Sequence, residues 1–172
     1  FGQSFAATLD FDQSTISLGV GDTVDVVVRV DAGSNQISST DAYVIYDPNL
    51  LEAQAITPAT FFPTVVNNIT SGRLYIAGLV DDASSSKTGS GDVATITFKA
   101  LATGSTTLIY FCDISVNESS KVIKNDIDAT NVIVCGSNGS NTVTVGSSAP
   151  TTIPAPTVEP DSDGDGIPDS QD

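Results

Sequence analysis

The 172-residue chain is 40% apolar and carries six lysines and arginines against 21 aspartates and glutamates, a formal net charge of −15. That length and apolar content suit one core of ordinary domain size, and the negative charge repels phosphate backbones and anionic headgroups, so nucleic acid and membrane-surface partners are not expected. The absence of histidine excludes Ser-His-Asp and Cys-His catalysis and imidazole-based zinc sites.

From the N-terminus, Phe5, Ala7, Leu9 and Phe11 alternate with Thr8, Asp10 and Asp12, the period of a half-buried strand. The turn Gly19-Val20-Gly21-Asp22 leads into Val24, Val26, Val28 and Val30, alternating with Thr23, Asp25, Arg29 and Asp31. Strands are predicted at 42–46 and 50–56 around the turn Asp47-Pro48-Asn49, and at 73–80 after Ser71-Gly72. Further on, Ala94, Ile96 and Phe98 alternate with Thr95, Thr97 and Lys99; strands at 105–112, 131–135 and around Val143 and Val145 complete the series. No sustained helical period occurs, and the turn spacing fits an all-β two-sheet sandwich or jelly roll. Val24, Val26, Val28, Ile45, Ile96, Phe98 and Leu108 are the expected shared core.

Cys112 and Cys135 are the only cysteines, each beside strand-like sequence. In a secreted chain such a pair is expected to be bridged, the alternative being two buried thiols. The closed loop of about 24 residues would contribute on the order of 3 kcal/mol. A first residue Phe1, no methionine and no apolar run of membrane-spanning length read as a mature, processed, extracellular or cell-surface chain without membrane insertion. Three sequons, at Asn68, Asn117 and Asn138, are possible glycan acceptors.

Three segments emerge: a sandwich at 1–146, a Pro/Thr/Ser-rich linker at 147–160, and an aspartate-rich loop at 161–172. The 14-residue linker can extend about 43 Å at roughly 3.1 Å per residue. In the last segment Asp161, Asp163, Asp165, Asp169 and Asp172 stand at loop positions 1, 3, 5, 9 and 12, with Gly166 at position 6. Calcium needs six to eight hard oxygens; this spacing, with the Ile167 carbonyl, supplies alternate ligands around one Ca2+ ion while the glycine permits the sharp turn. The prolines before Asp161 forbid the entering helix of an EF-hand. Carrying the Gly166-Ile167-Pro168-Asp169 string, the loop resembles a single thrombospondin type 3 calcium repeat.

Val20-Gly21-Asp22-Thr23-Val24, then Tyr46-Asp47-Pro48-Asn49-Leu50-Leu51-Glu52, then Gly89-Ser90-Gly91 followed by Val93 to Lys99, then Thr103-Gly104-Ser105-Thr106 arrive in the order of a cohesin domain. The sandwich segment resembles that family of cellulosome scaffolds and other microbial surface proteins. The resemblance implies a jelly roll of about nine strands that recognises protein or carbohydrate without catalysis. Asp81-Asp82 and the pair Asp126 and Asp128 are the acids that a glycosidase reading would have to use, and nothing marks a raised-pKa acid opposite a second carboxylate. The leading expectation is a self-associating subunit of a calcium-stabilised filament, tube or surface layer, joined through the tail or through the N-terminal strand. The alternatives are a receptor for a dockerin-bearing partner and a polysaccharide-binding module, the latter weakened by the absence of tryptophan.

Overall fold

Valine alternation builds the first sheet. In the computed structural model, which describes residues 6–147, β3 (Thr23–Asp31) buries Val26, Val28 and Val30 completely and turns Asp25, Arg29 and Asp31 to water. It runs antiparallel to β1 (Thr8–Phe11) on one side and to β8 (Ser90–Ala100) on the other, and β8 pairs with β5 (Leu51–Pro58). The order β1-β3-β8-β5 places Leu9, Val28, Ala94, Ile96 and Phe98 on one inner face.

The second sheet runs β2 (Thr15–Gly19), β11 (Ser140–Gly146), β9 (Gly104–Tyr110), β4 (Ile37–Ile45), β7 (Arg73–Leu79), β6 (Thr64–Thr70), and β10 (Lys121–Lys124) also pairs with β4. Its pairings are antiparallel except β2 with β11. Ala42, Val44, Leu74, Ile76, Leu108, Val143 and Val145 meet the first sheet, each large aliphatic side chain stabilising by about 1.5–3 kcal/mol when fully buried. Across the interface Phe11 stacks on Tyr110 at 4.5 Å, and the Tyr110 hydroxyl donates to the Asp10 carbonyl at 2.6 Å. Burial holds that phenol well above its ordinary pKa, so it remains a neutral donor.

Two glycines decide local packing. Gly72 adopts φ +80° in the β6–β7 hairpin, a conformation that costs glycine little. Gly78 lies under the buried Phe62 ring, which would collide with any Cβ at that position.

Several sequence expectations need correction. Among the described residues there are eleven strands rather than about nine; β2, β6 and β10 are additional. β6 reads Thr-Val-Val-Asn-Asn-Ile-Thr, without clean alternation, because as an edge strand it buries little on either face. The predicted strand at 131–135 is instead a pair of single bridges, Ala7 with Ile133 and Ile123 with Asn131, followed by a short 3-10 turn at Cys135–Ser137. Ile45 points outward, because Ala42 and Val44 take the inner positions of β4, and Val24 is only half-buried at the core edge. The apolar N-terminal residues Ala7, Leu9 and Phe11 are buried in their own sandwich, so they are not free to enter a neighbour's sheet.

Candidate docking face

The two outward faces of the sandwich differ in chemistry. On the β1-β3-β8-β5 sheet the register sets Asp25 beside Thr97, Arg29 beside Asp92, and Thr23 beside Lys99, which also pairs with Glu52. Arg29 Nε donates to Asp92 at 2.7 Å and Thr97 Oγ1 to Asp25 at 2.7 Å, so this face consists largely of paired polar groups.

The outward face of β9, β10, β4, β7 and β6 is different. Register aligns Tyr43, Tyr75 and Asn68 in one row; Ile109, Ile45, Arg73 and Thr70 in the next; and Lys121, Asp41, Ala77 and Val66 on the other side. A last row holds Ile123, Ser39, Leu79 and Thr64. Val66, Leu79 and Ile109 expose 48, 38 and 45% of their surface, an apolar fringe around the aromatic centre.

Each group in that centre is held in place. The Tyr43 and Tyr75 rings lie 4.9 Å apart, and the Arg73 guanidinium sits 4.6 Å above Tyr43 and 5.3 Å from Phe111. Arg73 Nη2 donates to the Glu118 carbonyl at 2.7 Å, with the Glu118 carboxylate 4.0 Å away. The loop carrying Glu118 is pinned by two buried serines: Ser119 Oγ accepts Asp113 N–H at 2.6 Å, and Ser120 Oγ accepts Tyr43 N–H at 3.0 Å. Tyr75 donates its hydroxyl to Asp41 at 3.0 Å; partial burial first, then the Asp41 charge and hydrogen bond, push its pKa up to about 12. Burial followed by Asp41 raises Tyr43 as well, so both phenols present neutral hydroxyls at ordinary pH. A cleft of about 290 Å³ lies among Tyr43, Asn68, Thr70, Arg73, Tyr75 and Glu118. Tyrosine and arginine, held rigid and ringed by exposed aliphatics, are the residue types that anchor protein interfaces.

The expected disulfide is present, joining Cys112 after β9 to Cys135 and enclosing both the 113–120 loop and β10. Of the acids a glycosidase would need, Asp82 and Asp126 serve turns: Asp82 accepts from Ser84 and Ser85, and Asp126 from Thr130 N–H, hydrogen bonds that lower both pKa values, opposite to a general acid. Among the described residues no group of three histidine, cysteine or acidic side chains is arranged to hold a metal. The proposed calcium ligands Asp161, Asp163, Asp165, Ile167, Asp169 and Asp172 lie outside the described residues, as does nearly all of the linker. Sequence reasoning missed Tyr43 and Tyr75 as surface groups, although the parity of Ala42-Val44 against Tyr43-Ile45, and of Leu74-Ile76 against Arg73-Tyr75, carries the signal.

A family model, described as the cohesin domain, matches residues 12–143, and no curated protein matches the sequence. The sandwich resembles the seventh ScaB type I cohesin of Pseudobacteroides cellulosolvens at TM-score 0.67 and 21% identity, over 85% of this chain and 96% of that one. The sixth cohesin of Acetivibrio cellulolyticus scaffoldin B, solved in complex with a Cel5 dockerin mutant, aligns at TM-score 0.66 and 17% identity over 83% of this chain and 100% of that one. A non-cellulosomal cohesin from the archaeon Archaeoglobus fulgidus aligns at TM-score 0.61 and 16% identity, over 83% and 93% of the two chains. With the family model spanning most of the sandwich and these neighbours sharing its architecture, the chain belongs to the cohesin family.

Proposed function

We propose that this chain is a non-catalytic extracellular receptor that captures a dockerin-bearing partner on the outward face of β9, β10, β4, β7 and β6. One observation carries the reading: of the two outer faces, this one gathers the adjoining Tyr43 and Tyr75 rings, the clamped Arg73 and the exposed Val66, Leu79 and Ile109. Membership of the cohesin family and the dockerin complexes of its structural neighbours support it. Self-association through the N-terminal strand has no support in a strand whose apolar side chains are already buried. The disulfide suits an oxidising, extracellular setting, and no helix among the described residues is long and apolar enough to cross a membrane. In the same reading, the aspartate loop at 161–172 binds calcium.

The test is a plate assay of the purified chain against dockerin modules encoded in the same genome. At least one should bind, and Arg73→Ala and Tyr75→Ala should each weaken it at least tenfold, about 1.4 kcal/mol. Thr95→Ala, on the opposite face, should leave affinity unchanged. Equal loss from both faces, or no binding by any dockerin, refutes the assignment.

A further inference from the structure

An asparagine sequon needs two accessible groups, the amide nitrogen and the hydroxyl two residues on. The three sequons of this chain differ in that respect. At Asn138 the side-chain nitrogen is buried without a partner, and Oδ1 is held by Leu9 N–H at 2.9 Å. At Asn117 the asparagine is exposed, but the Ser119 hydroxyl is buried and engaged with Asp113 N–H. Asn68-Ile69-Thr70 alone exposes both groups, with Asn68 Nδ2 3.4 Å from Thr70 Oγ1. It lies on β6, the edge of its sheet, where extended backbone leaves one side open to a modifying enzyme.

We propose that Asn68 is an N-glycosylation site and that its glycan closes the docking face. In the transfer step Asn68 Nδ2 loses a proton to a base of the transferase and bonds to the anomeric carbon of an oligosaccharide carried on a lipid pyrophosphate. The bond from that carbon to the pyrophosphate oxygen breaks, and the lipid pyrophosphate leaves with the electron pair. No redox change is involved. Asn68 stands directly opposite Tyr75 in the β6–β7 register and lines the same cleft as Tyr43, Arg73 and Glu118. A hydrated sugar rooted there covers the aromatic centre that a partner must reach, so the glycosylated chain is the closed form and the bare chain the open form. β6 also has no charged residue among Thr64–Thr70, and a glycan protects such an uncharged edge from pairing with other chains. The occlusion rests on the docking reading above; the occupancy of Asn68 does not.

The experiment compares the full chain secreted by an N-glycosylating host with the same chain from a host lacking that pathway. Peptide mass spectrometry of the folded protein should find glycan on Asn68 and none on Asn138. The dockerin module that binds the bare chain should bind the glycosylated chain at least about tenfold more weakly. Thr70→Ala, which removes the sequon while keeping Asn68, should give the same affinity from both hosts. An unmodified Asn68 in the folded protein overturns the site. A modified Asn68 with unchanged dockerin affinity overturns the occlusion and leaves docking intact. If no dockerin binds the bare chain, docking fails and the occlusion with it, while the mass spectrum still decides the site.

Discussion

Opening the Cys112–Cys135 link isolates one constraint of known size. The two residues are 23 apart, and the closed loop carries the 113–120 segment and β10, both of which build the docking face. For a loop of this length, the chain-entropy relation makes the unfolded state less favourable by about 3.4 kcal/mol at 25 °C. A folded unit of about 140 residues unfolds with an entropy of about 0.3 kcal/mol/K, so loss of the link should lower Tm by about 11 °C. Differential scanning calorimetry of oxidised protein, reduced protein and Cys112→Ala/Cys135→Ala tests this. The reduced wild type matters most, since it keeps both side chains and loses only the link. If it melts within about 3 °C of the oxidised form, the link contributes under about 1 kcal/mol, and the loop is held by Ser119, Ser120 and β10 without it.

Gly78→Ala forces a Cβ into the buried Phe62 ring and should cost about 1–3 kcal/mol, read from the denaturant midpoint at unchanged m; no change would mean that Phe62 moves freely. Tyr75 has a folded pKa raised to about 12 from an ordinary value near 10, so its contribution is fully present below about pH 10 and is lost as pH rises toward 12. Tyr75→Phe should flatten that alkaline fall in stability, and an equally steep fall in the variant would assign it to other groups. Calcium titrated into the full chain by calorimetry should show one site that Asp163→Asn/Asp165→Asn abolishes; heat unaltered by the double substitution would place any binding elsewhere.

Strand alternation by itself makes much of the fold legible. Val26, Val28, Ile96 and Phe98 sit where period two places them, because a half-buried strand has two faces and the apolar one must turn inward. Glycine and proline turns marked most strand ends for the same local reason: Asp47 Oδ1 accepts Asn49 N–H at 2.9 Å, and Gly72 holds a positive φ. The cysteine pair and the sequons could be named from residue type alone.

What sequence could not supply was everything that depends on a second strand. Tyr43 lies 32 positions from Tyr75 and 30 from Arg73, and only the antiparallel β4–β7 register makes them neighbours. The three sequons look equivalent as strings, yet burial removes the Asn138 nitrogen and the Ser119 hydroxyl and leaves Asn68 open. Periodicity reports which face of one strand is apolar; which outward faces join into a surface, and which polar atoms that surface buries, is decided when the strands pair and the two sheets close.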